Sequence, residues 1–357
     1  MQATIEHLSA KASKKNFFLL PLLALLFIVV LLVVFSEFYS VPYYALSPGG
    51  TFFIGPQVKT TETFKTNGEI EGVYVTQTKL NLLQYEIDKH LSNVSIYESS
   101  EIATSPTGKI LSSSALFQEN KWFQLSSEEL AIAAALKEAG YQVPEQTSGA
   151  LIGWVDPTAP ASKVLEQGDI IKSLNGLPTP TTKEFLKLDS LYVKLRVPLH
   201  LLIQTPYGTT KTVEITPVGI NEGNTLVPYI GIGLMPRFKF PFTISISDLV
   251  DGQQLGGPSA GLAYALYLTD ALKGGNLTHG NLVAATGTID SNGNVGPIGG
   301  LKQKTISVKA SGAKIFFVPA LQSSSELATA RKIAGKSLKI VPVKTLDQAV
   351  EYLKSHY

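Results

Sequence analysis

The chain has 357 residues, which is enough for two or three domains of ordinary size. Its 30 basic and 28 acidic residues leave a net charge of +2, so the composition offers no broad electrostatic case for nucleic-acid binding. Cysteine is absent, which excludes a thiol nucleophile, disulfide bonds and cysteine metal sites.

The first predicted element is a membrane-spanning helix over residues 17–36. Residues 17–35 are an uninterrupted run of 19 apolar side chains. A helix of that length spans roughly 28 Å, close to the thickness of the hydrocarbon core of a bilayer. Three lysines lie just before the run, at positions 11, 14 and 15. The positive-inside rule therefore predicts a cytoplasmic tail over residues 1–16 and an extracytoplasmic body after the helix.

A cleaved signal peptide is the competing interpretation of this run. Its apolar region would be about 7–15 residues long and would be followed by a small-x-small cleavage site. The run here is longer, and residues 36–42 after it make a poor cleavage site. We therefore expect a retained, single-pass anchor in the cell membrane.

Residues 37–128 are predicted to form an extracytoplasmic N-terminal region. Residues 72–78 alternate in the manner of a β-strand, and residues 99–114, rich in Ser, Thr, Pro and Gly, are typical of a loop. A helix is predicted to begin near Ser126, because serines can cap a helix and the glutamates that follow suit its first turn. It is predicted to end at Gly140.

Three turn motifs follow in order: V-D-P-T-A-P-A at 155–161, L-E-Q-G-D-I-I at 165–171 and N-G at 175–176. In this order they resemble a bacterial PDZ domain, whose members carry a V-x-x-x-S-P-A-like turn, an L-x-x-G-D-x-I strand and an N-G turn. With the preceding helix, this domain is assigned to residues 129–220. The competing interpretation is an ordinary pair of half-buried strands with glycine turns.

The PDZ resemblance implies a groove that binds an extended peptide as an added strand. The helix facing that groove would be residues 182–191. The strand lining it would consist of Ala150, Leu151, Ile152, Gly153 and Trp154. For each of these residues, simple core or turn packing is an equal alternative.

From Ile230 onward the sequence has a glycine-punctuated α/β pattern. Pro258 suits the first turn of a helix and would place Ser259 at the N-terminus of that helix. Backbone N–H groups lack partners there and could hold an oxyanion. For Ser259 taken alone, a capping serine at a glycine-rich helix entry is the alternative.

A serine nucleophile needs a base, and none of the five histidines lies in a motif. A lysine can serve if desolvation lowers its pKa from about 10.4 toward neutrality. Lys304 lies three residues after Leu301 and four before Val308, so it projects along their apolar stripe. Lys302 lies roughly 200° around the helix from Lys304 and should face water. Lys304 is the better candidate, and a snorkelling surface lysine is the alternative.

Three motifs in this part of the chain occur in a fixed order: G-P-S-A-G at 257–261, T-G-T-I-D at 286–290 and V-G-P-I-G-G-L-K-Q-K at 295–304. Together they resemble the proteolytic domain of Lon peptidases, and in particular the membrane-anchored PDZ–Lon subfamily. The domain is assigned to residues 226–357.

The Lon resemblance implies a role for each matched residue. Ser259 corresponds to the nucleophile, Lys304 to the general base and Thr286 to the threonine that orients the lysine. The backbone amides of Gly257 and Ser259 are expected to hold the oxyanion.

The sequence thus predicts an α+β multidomain protein with a transmembrane helix, a PDZ-like β-rich domain and a Lon-type α/β proteolytic domain. The expected function is an ATP-independent extracytoplasmic serine endopeptidase, because no G-x-x-x-x-G-K-[ST] motif is present. Expected partners are exposed or unfolded protein segments, secreted peptides and the membrane, with no metal or organic cofactor and no nucleic acid. Lon domains often form rings, which leaves a homo-oligomer open. The alternative is a catalytically silent PDZ adaptor or holdase at the membrane surface.

Overall fold

The structure is a computed structural model that describes residues 21–62, 66–247, 249–250 and 252–356. The predicted cytoplasmic tail over residues 1–16 and the first residues of the predicted membrane helix lie outside the described residues.

The helices are α1 (Pro21–Phe38), α2 (Leu82–Asp88), α3 (Ser99–Ile102), α4 (Ser113–Glu138), α5 (Thr182–Tyr192), α6 (Gly261–Leu272), α7 (Leu301–Ser311), α8 (Ser324–Ala334) and α9 (Leu346–His356). The strands are β1 (Ser40–Phe53), β2 (Val58–Thr60), β3 (Glu69–Asn81), β4 (Ser95–Glu98), β5 (Ala150–Val155), β6 (Ile170–Leu174), β7 (Leu177–Pro178), β8 (Leu199–Gln204), β9 (Thr210–Ile215), β10 (Val218–Glu222), β11 (Thr225–Tyr229), β12 (Ile232–Met235), β13 (Ile244–Ile246), β14 (Leu249–Val250), β15 (Gln253–Gln254), β16 (Leu282–Ala285), β17 (Thr288–Ile289), β18 (Val295–Gly296), β19 (Ile315–Pro319) and β20 (Lys339–Val343).

The chain divides into two compact units, and the first comprises Met1–Leu46 and Gln77–Ser99. It contains α1, which is long and apolar enough to cross a membrane, with none of its residues buried. A membrane anchor and a signal sequence both have these properties. The β-part of this unit pairs β1 with β4 in antiparallel fashion, from Tyr43 opposite Glu98 to Leu46 opposite Ser95.

The second unit comprises Ser47–Thr76 and Ser100–Tyr357. Its main sheet has the strand order β20-β19-β16-β3-β1. β16 is parallel both to β19 and to β3, with Val283 opposite Ile315 on one side and Ile70 on the other. The predicted strand over residues 72–78 is part of β3. β1 and β3, which precede residue 82 in the chain, therefore join the same sheet as β16, β19 and β20 of the C-terminal part.

Side chains on the central strands of this sheet alternate between two buried faces. On β19, Ile315 and Phe317 pack in one core with α4, α6 and α9, whereas Phe316 and Val318 pack in a second core with α7 and α8. Continuous apolar runs such as Ile315–Pro319 are typical of parallel strands that are covered by helices on both faces. Helices therefore cover both faces of these central strands.

Residues 150–235, which we call the middle module, contain a separate six-stranded sheet in the order β12-β5-β6-β8-β9, with β7 paired to β6. Its core contains Ile152 of β5, Ile171 of β6, Leu201 of β8 and Phe185 of α5. β12 is the edge strand and runs antiparallel to β5. β12 lies beyond the predicted boundary at 226 but pairs with β5 of the middle module.

α4 differs most from its prediction. It begins at Ser113 rather than near Ser126. The hydroxyl of Ser112 caps this start by accepting a hydrogen bond from the N–H of Ala115. Ser126 and Ser127 lie inside the helix and are buried. The last turns of α4 pack against α6 in two apolar cores, and this burial outweighs the polar character of the first half. The predicted boundary between residues 128 and 129 falls inside this helix.

Candidate active site

Three segments of the second unit bring the predicted catalytic residues together. Ser259 precedes α6 in a turn, Thr286 follows the last residue of β16, and Lys304 lies in the first turn of α7. The N–H of Thr286 donates to the carbonyl of Phe317, which continues the parallel pairing with β19. α7 starts after Gly300, whose φ of 69° lies in the left-handed region that favours glycine. The sheet and α7 thus fix two of the three side chains.

The side chains of Ser259, Thr286 and Lys304 form one hydrogen-bonded cluster. Lys304 Nζ lies 2.5 Å from Ser259 Oγ and donates to Thr286 Oγ1 at 3.1 Å. Thr286 Oγ1 donates in turn to the carbonyl oxygen of Ser259 at 3.0 Å, and the N–H of Gly287 donates to the same oxygen at 2.8 Å. Thr286 therefore holds both the lysine and the backbone of the serine.

Burial gives Lys304 an unusual protonation behaviour for a lysine. Only 1% of the residue is exposed, whereas Lys302 is half-buried. Desolvation lowers the pKa of Lys304 to about 7, because an ammonium loses hydration when it is removed from water. Near neutral pH a large fraction of Lys304 is thus an uncharged amine that can accept a proton from Ser259 Oγ at hydrogen-bond distance.

The backbone before Ser259 differs from the sequence-based expectation in two respects. α6 begins at Gly261 with Ala260 as its N-cap, so Ser259 lies in the turn before the helix. The N–H of Gly257 donates to the carbonyl oxygen of Asn120 at 2.8 Å and is not directed at a substrate. In this conformation the N–H of Gly257 is therefore already bonded, and its role as an oxyanion donor stays a prediction. Among the described residues, no acceptor is found for the N–H of Ser259.

Helix α4 holds the segment of residues 256–261, which we call the nucleophile loop. The carbonyl of Asn120 accepts the N–H of Gly257, and Ser127 Oγ donates to the carbonyl of Pro258 at 2.9 Å. Ser127 is buried against Gly261, where a Cβ would lie 2.6 Å from Ser127 Oγ. The sequence assigned Ser127 to helix capping and gave Asn120 no role.

A groove of about 460 Å³ lies between α5 and β12. The predicted groove strand Ala150–Trp154 does not line its open edge, because β5 is paired on both sides, with β12 and with β6. The groove is bounded instead by β12, by the predicted helix α5 and by α4. Its lining includes Trp122, Ser126, Leu130, Phe185, Leu186, Val193, Ile230, Ile232 and Leu234.

The C-terminal part of the chain matches a known family of proteolytic domains. Residues 253–355 match the family model of the Lon protease (S16) C-terminal proteolytic domain. A Lon protease from Trichlorobacter lovleyi is 39% identical over 95 residues, which are 27% of this chain and 11% of that protein. A Lon protease from Chloroflexus aggregans is 24% identical over 241 residues, which are 62% of this chain and 28% of that protein.

These matches make the C-terminal part of the chain similar to the proteolytic domains of serine peptidases. More narrowly, residues 253–355 are a Lon (S16) C-terminal proteolytic domain, and the predicted α+β organisation of the chain is confirmed. The chain spans only about a tenth to a quarter of the length of these curated relatives. Among solved structures, the PDZ domain of the SdrC-like protein from Listeria monocytogenes is 25% identical, covers 24% of this chain and 87% of its own length, and has a TM-score of 0.21.

Proposed function

We propose that the protein is an ATP-independent serine endopeptidase with a Ser259–Lys304 dyad, anchored in the membrane and active on its outer face. The observation that carries this proposal is the buried amine of Lys304, 2.5 Å from Ser259 Oγ and with its pKa lowered to about 7. A lysine in this state is a general base for a serine hydroxyl. The Lon-type proteolytic domain supplies the class of reaction, which is hydrolysis of a peptide bond.

The proposed reaction begins when neutral Lys304 Nζ takes the proton of Ser259 Oγ while this oxygen bonds to the carbonyl carbon of the substrate. The N–H of Ser259 stabilises the negative charge that develops on the carbonyl oxygen. Lys304 then gives its proton to the leaving amine as the C–N bond breaks. Water, deprotonated by the same amine, attacks the acyl ester and releases Ser259. Thr286 keeps Nζ in position throughout.

The groove between α5 and β12 is proposed to bind the substrate as an extended peptide. β12 is an edge strand, so one side of its backbone can pair with an added strand, as in PDZ-like recognition. The apolar lining from Phe185, Leu186 and Ile232 favours apolar side chains of the peptide. A groove of about 460 Å³ accommodates an unfolded segment or a short secreted peptide, rather than a folded domain.

The cellular placement is part of the same proposal. α1 has the length and composition of a membrane-spanning helix, and the lysines at positions 11, 14 and 15 favour a cytoplasmic N-terminus. The chain contains no G-x-x-x-x-G-K-[ST] motif, which is consistent with a peptidase that works without ATP.

The test compares the wild-type chain with Ser259→Ala, both purified in detergent micelles and incubated with casein, an unfolded protein, without ATP. We expect the wild type to release peptide fragments, detected by mass spectrometry, and Ser259→Ala to release none. Ser92→Ala changes an exposed serine and serves as the matched control. Identical fragments from wild type and Ser259→Ala, or none from either, would refute the peptidase and favour a silent adaptor.

The pH dependence of cleavage should report the protonation of Lys304. Because its pKa is lowered to about 7, we expect kcat/KM to rise about tenfold per pH unit below pH 7 and to level off above it, as the neutral amine becomes the main form. Initial rates of casein cleavage between pH 5.5 and pH 9 measure this profile. A base with the ordinary pKa of about 10.4 would still gain activity at pH 9, which would contradict the assignment.

A further inference from the structure

Helix α4 lies between the groove and the nucleophile loop, and it contacts both. Asn120 and Ser127 are seven residues apart and share one face of the helix, which holds the loop. Trp122 and Ser126, at a spacing of four, lie roughly 200–240° around the helix from Asn120 and line the groove. Less than two turns of a continuous helix thus connect the two sites.

Trp122 is packed tightly against the strands that border the groove. Its indole ring stacks on Trp154 with ring centroids 5.9 Å apart, and its Nε1–H donates to the carbonyl of Leu234 at 3.2 Å. A Cβ at Gly153 or Gly233 would lie 2.5 or 2.6 Å from the ring, so both positions accommodate the indole only as glycine. A peptide added along β12 would therefore contact an indole ring that cannot move towards the sheet.

Helix α4 also forms a hydrogen bond with one backbone amide next to the active site, so this amide is not available to a substrate. The carbonyl of Asn120 accepts the N–H of Gly257, whose φ is 85°. A small displacement of α4 would break this bond and free the amide to face a substrate carbonyl, next to the N–H of Ser259. An additional oxyanion donor affects kcat strongly, because it acts on charge that develops in the transition state.

We propose that helix α4 transmits occupancy of the groove to the nucleophile loop, with Trp122 as the residue that senses the peptide and Asn120 as the one that releases Gly257. A bound peptide favours the displaced helix because α4 forms one wall of the groove, so the contacts of the peptide depend on where α4 lies. Peptide binding then raises kcat of the dyad. This inference rests on the proposed peptidase function.

The test uses the absence of cysteine from the chain, which makes any introduced thiol unique. Leu186→Cys places a thiol in the groove, and modification with fluorescein maleimide then fills the groove covalently. Leu191→Cys, exposed on the same helix but outside the groove lining, is the matched control. Hydrolysis of a tripeptide p-nitrophenyl ester by the full chain in micelles reports on Ser259 itself.

We expect the labelled Leu186→Cys protein to have a kcat about 5- to 10-fold higher than the same protein before labelling, within the usual range of coupling between sites. KM for the short ester should change little, and labelling of Leu191→Cys should change neither constant. In a Trp122→Ala background, or Trp122→Leu if the first variant does not fold, the labelled and unlabelled rates should be equal.

The contrary outcomes separate this inference from the peptidase proposal. An unchanged or lower kcat after labelling of Leu186→Cys would overturn the coupling, provided that ester hydrolysis still depends on Ser259. A rise that persists in full in both Trp122 variants would overturn the role of Trp122. Ester hydrolysis that is equal in Ser259→Ala would instead refute the proposed peptidase.

Discussion

Lys304→Ala is expected to lower kcat for casein cleavage about 1000-fold, whereas Lys302→Ala should retain nearly all of the wild-type activity. The two lysines are two residues apart on α7, but only Lys304 is fully buried and within 2.5 Å of Ser259 Oγ. Removing its amine leaves the serine hydroxyl without a base, and the remaining hydrogen bonds cannot replace proton transfer. Initial cleavage rates of the two variants and the wild type measure the difference.

Lys304→Arg extends the comparison, because it keeps a positive charge and hydrogen-bond donors but cannot act as a base at neutral pH. We expect it to be as inactive as Lys304→Ala. Thermal melts of each variant establish that the fold is retained. Equal loss of activity in the Lys302 and Lys304 variants would contradict the assignment of the base to the buried face of α7.

The face of α7 on which Lys304 lies could be predicted, because it depends only on neighbouring residues of the same helix. An apolar stripe through Leu301 and Val308 defines one face, and the 3.6-residue period of a helix decides which lysine shares it. The structure places both Leu301 and Val308 at an exposure of 1% or less, together with Lys304. The distance to Ser259 could not be predicted in the same way, because it depends on how α7, β16 and the nucleophile loop pack.

The pairing of strands that are distant in the chain was missed. Ile70 of β3 lies opposite Val283 of β16, and Leu234 of β12 lies opposite Ile152 of β5. Alternation within a strand indicates that a strand exists but does not indicate its neighbour. β12 is also short and contains Gly233, which is needed for close approach of Trp122 rather than for strand formation. The PDZ resemblance assigns the groove strand to Ala150–Trp154, and nothing in the local sequence indicates that β12 pairs along it.

The contact between Asn120 and Gly257 had no signal in the sequence. It uses the backbone carbonyl of Asn120 and the backbone N–H of Gly257, and every residue other than proline has both groups. Only the packing of α4 against the nucleophile loop identifies which carbonyl meets which amide. Sequence reasoning could thus propose that the loop offers oxyanion donors, but not that one of them is already bonded.

The burial of Lys304 should also lower the stability of the fold near neutral pH. Its pKa is about 7 in the folded protein and about 10.5 when exposed, so between these values the unfolded chain binds more protons than the folded one. Stability therefore rises with pH across this range. Relative to a lysine with an unshifted pKa, Lys304 lowers the free energy of unfolding by about 4 kcal/mol at pH 7 and by about 1 kcal/mol at pH 10.

Lys304→Met fills the same space with an apolar side chain and removes this cost. We expect the variant to melt several degrees higher than the wild type at pH 7, although it is inactive, and the difference to shrink or disappear at pH 10. Lys302→Met, at a half-buried position on the same helix, should change the melting temperature little at either pH. If Lys304→Met raises the melting temperature equally at both pH values, better packing causes the rise, and the desolvated amine does not. A rise in melting temperature at neutral pH alone would instead show that the same lowered pKa both destabilises the fold and makes Lys304 a base for Ser259.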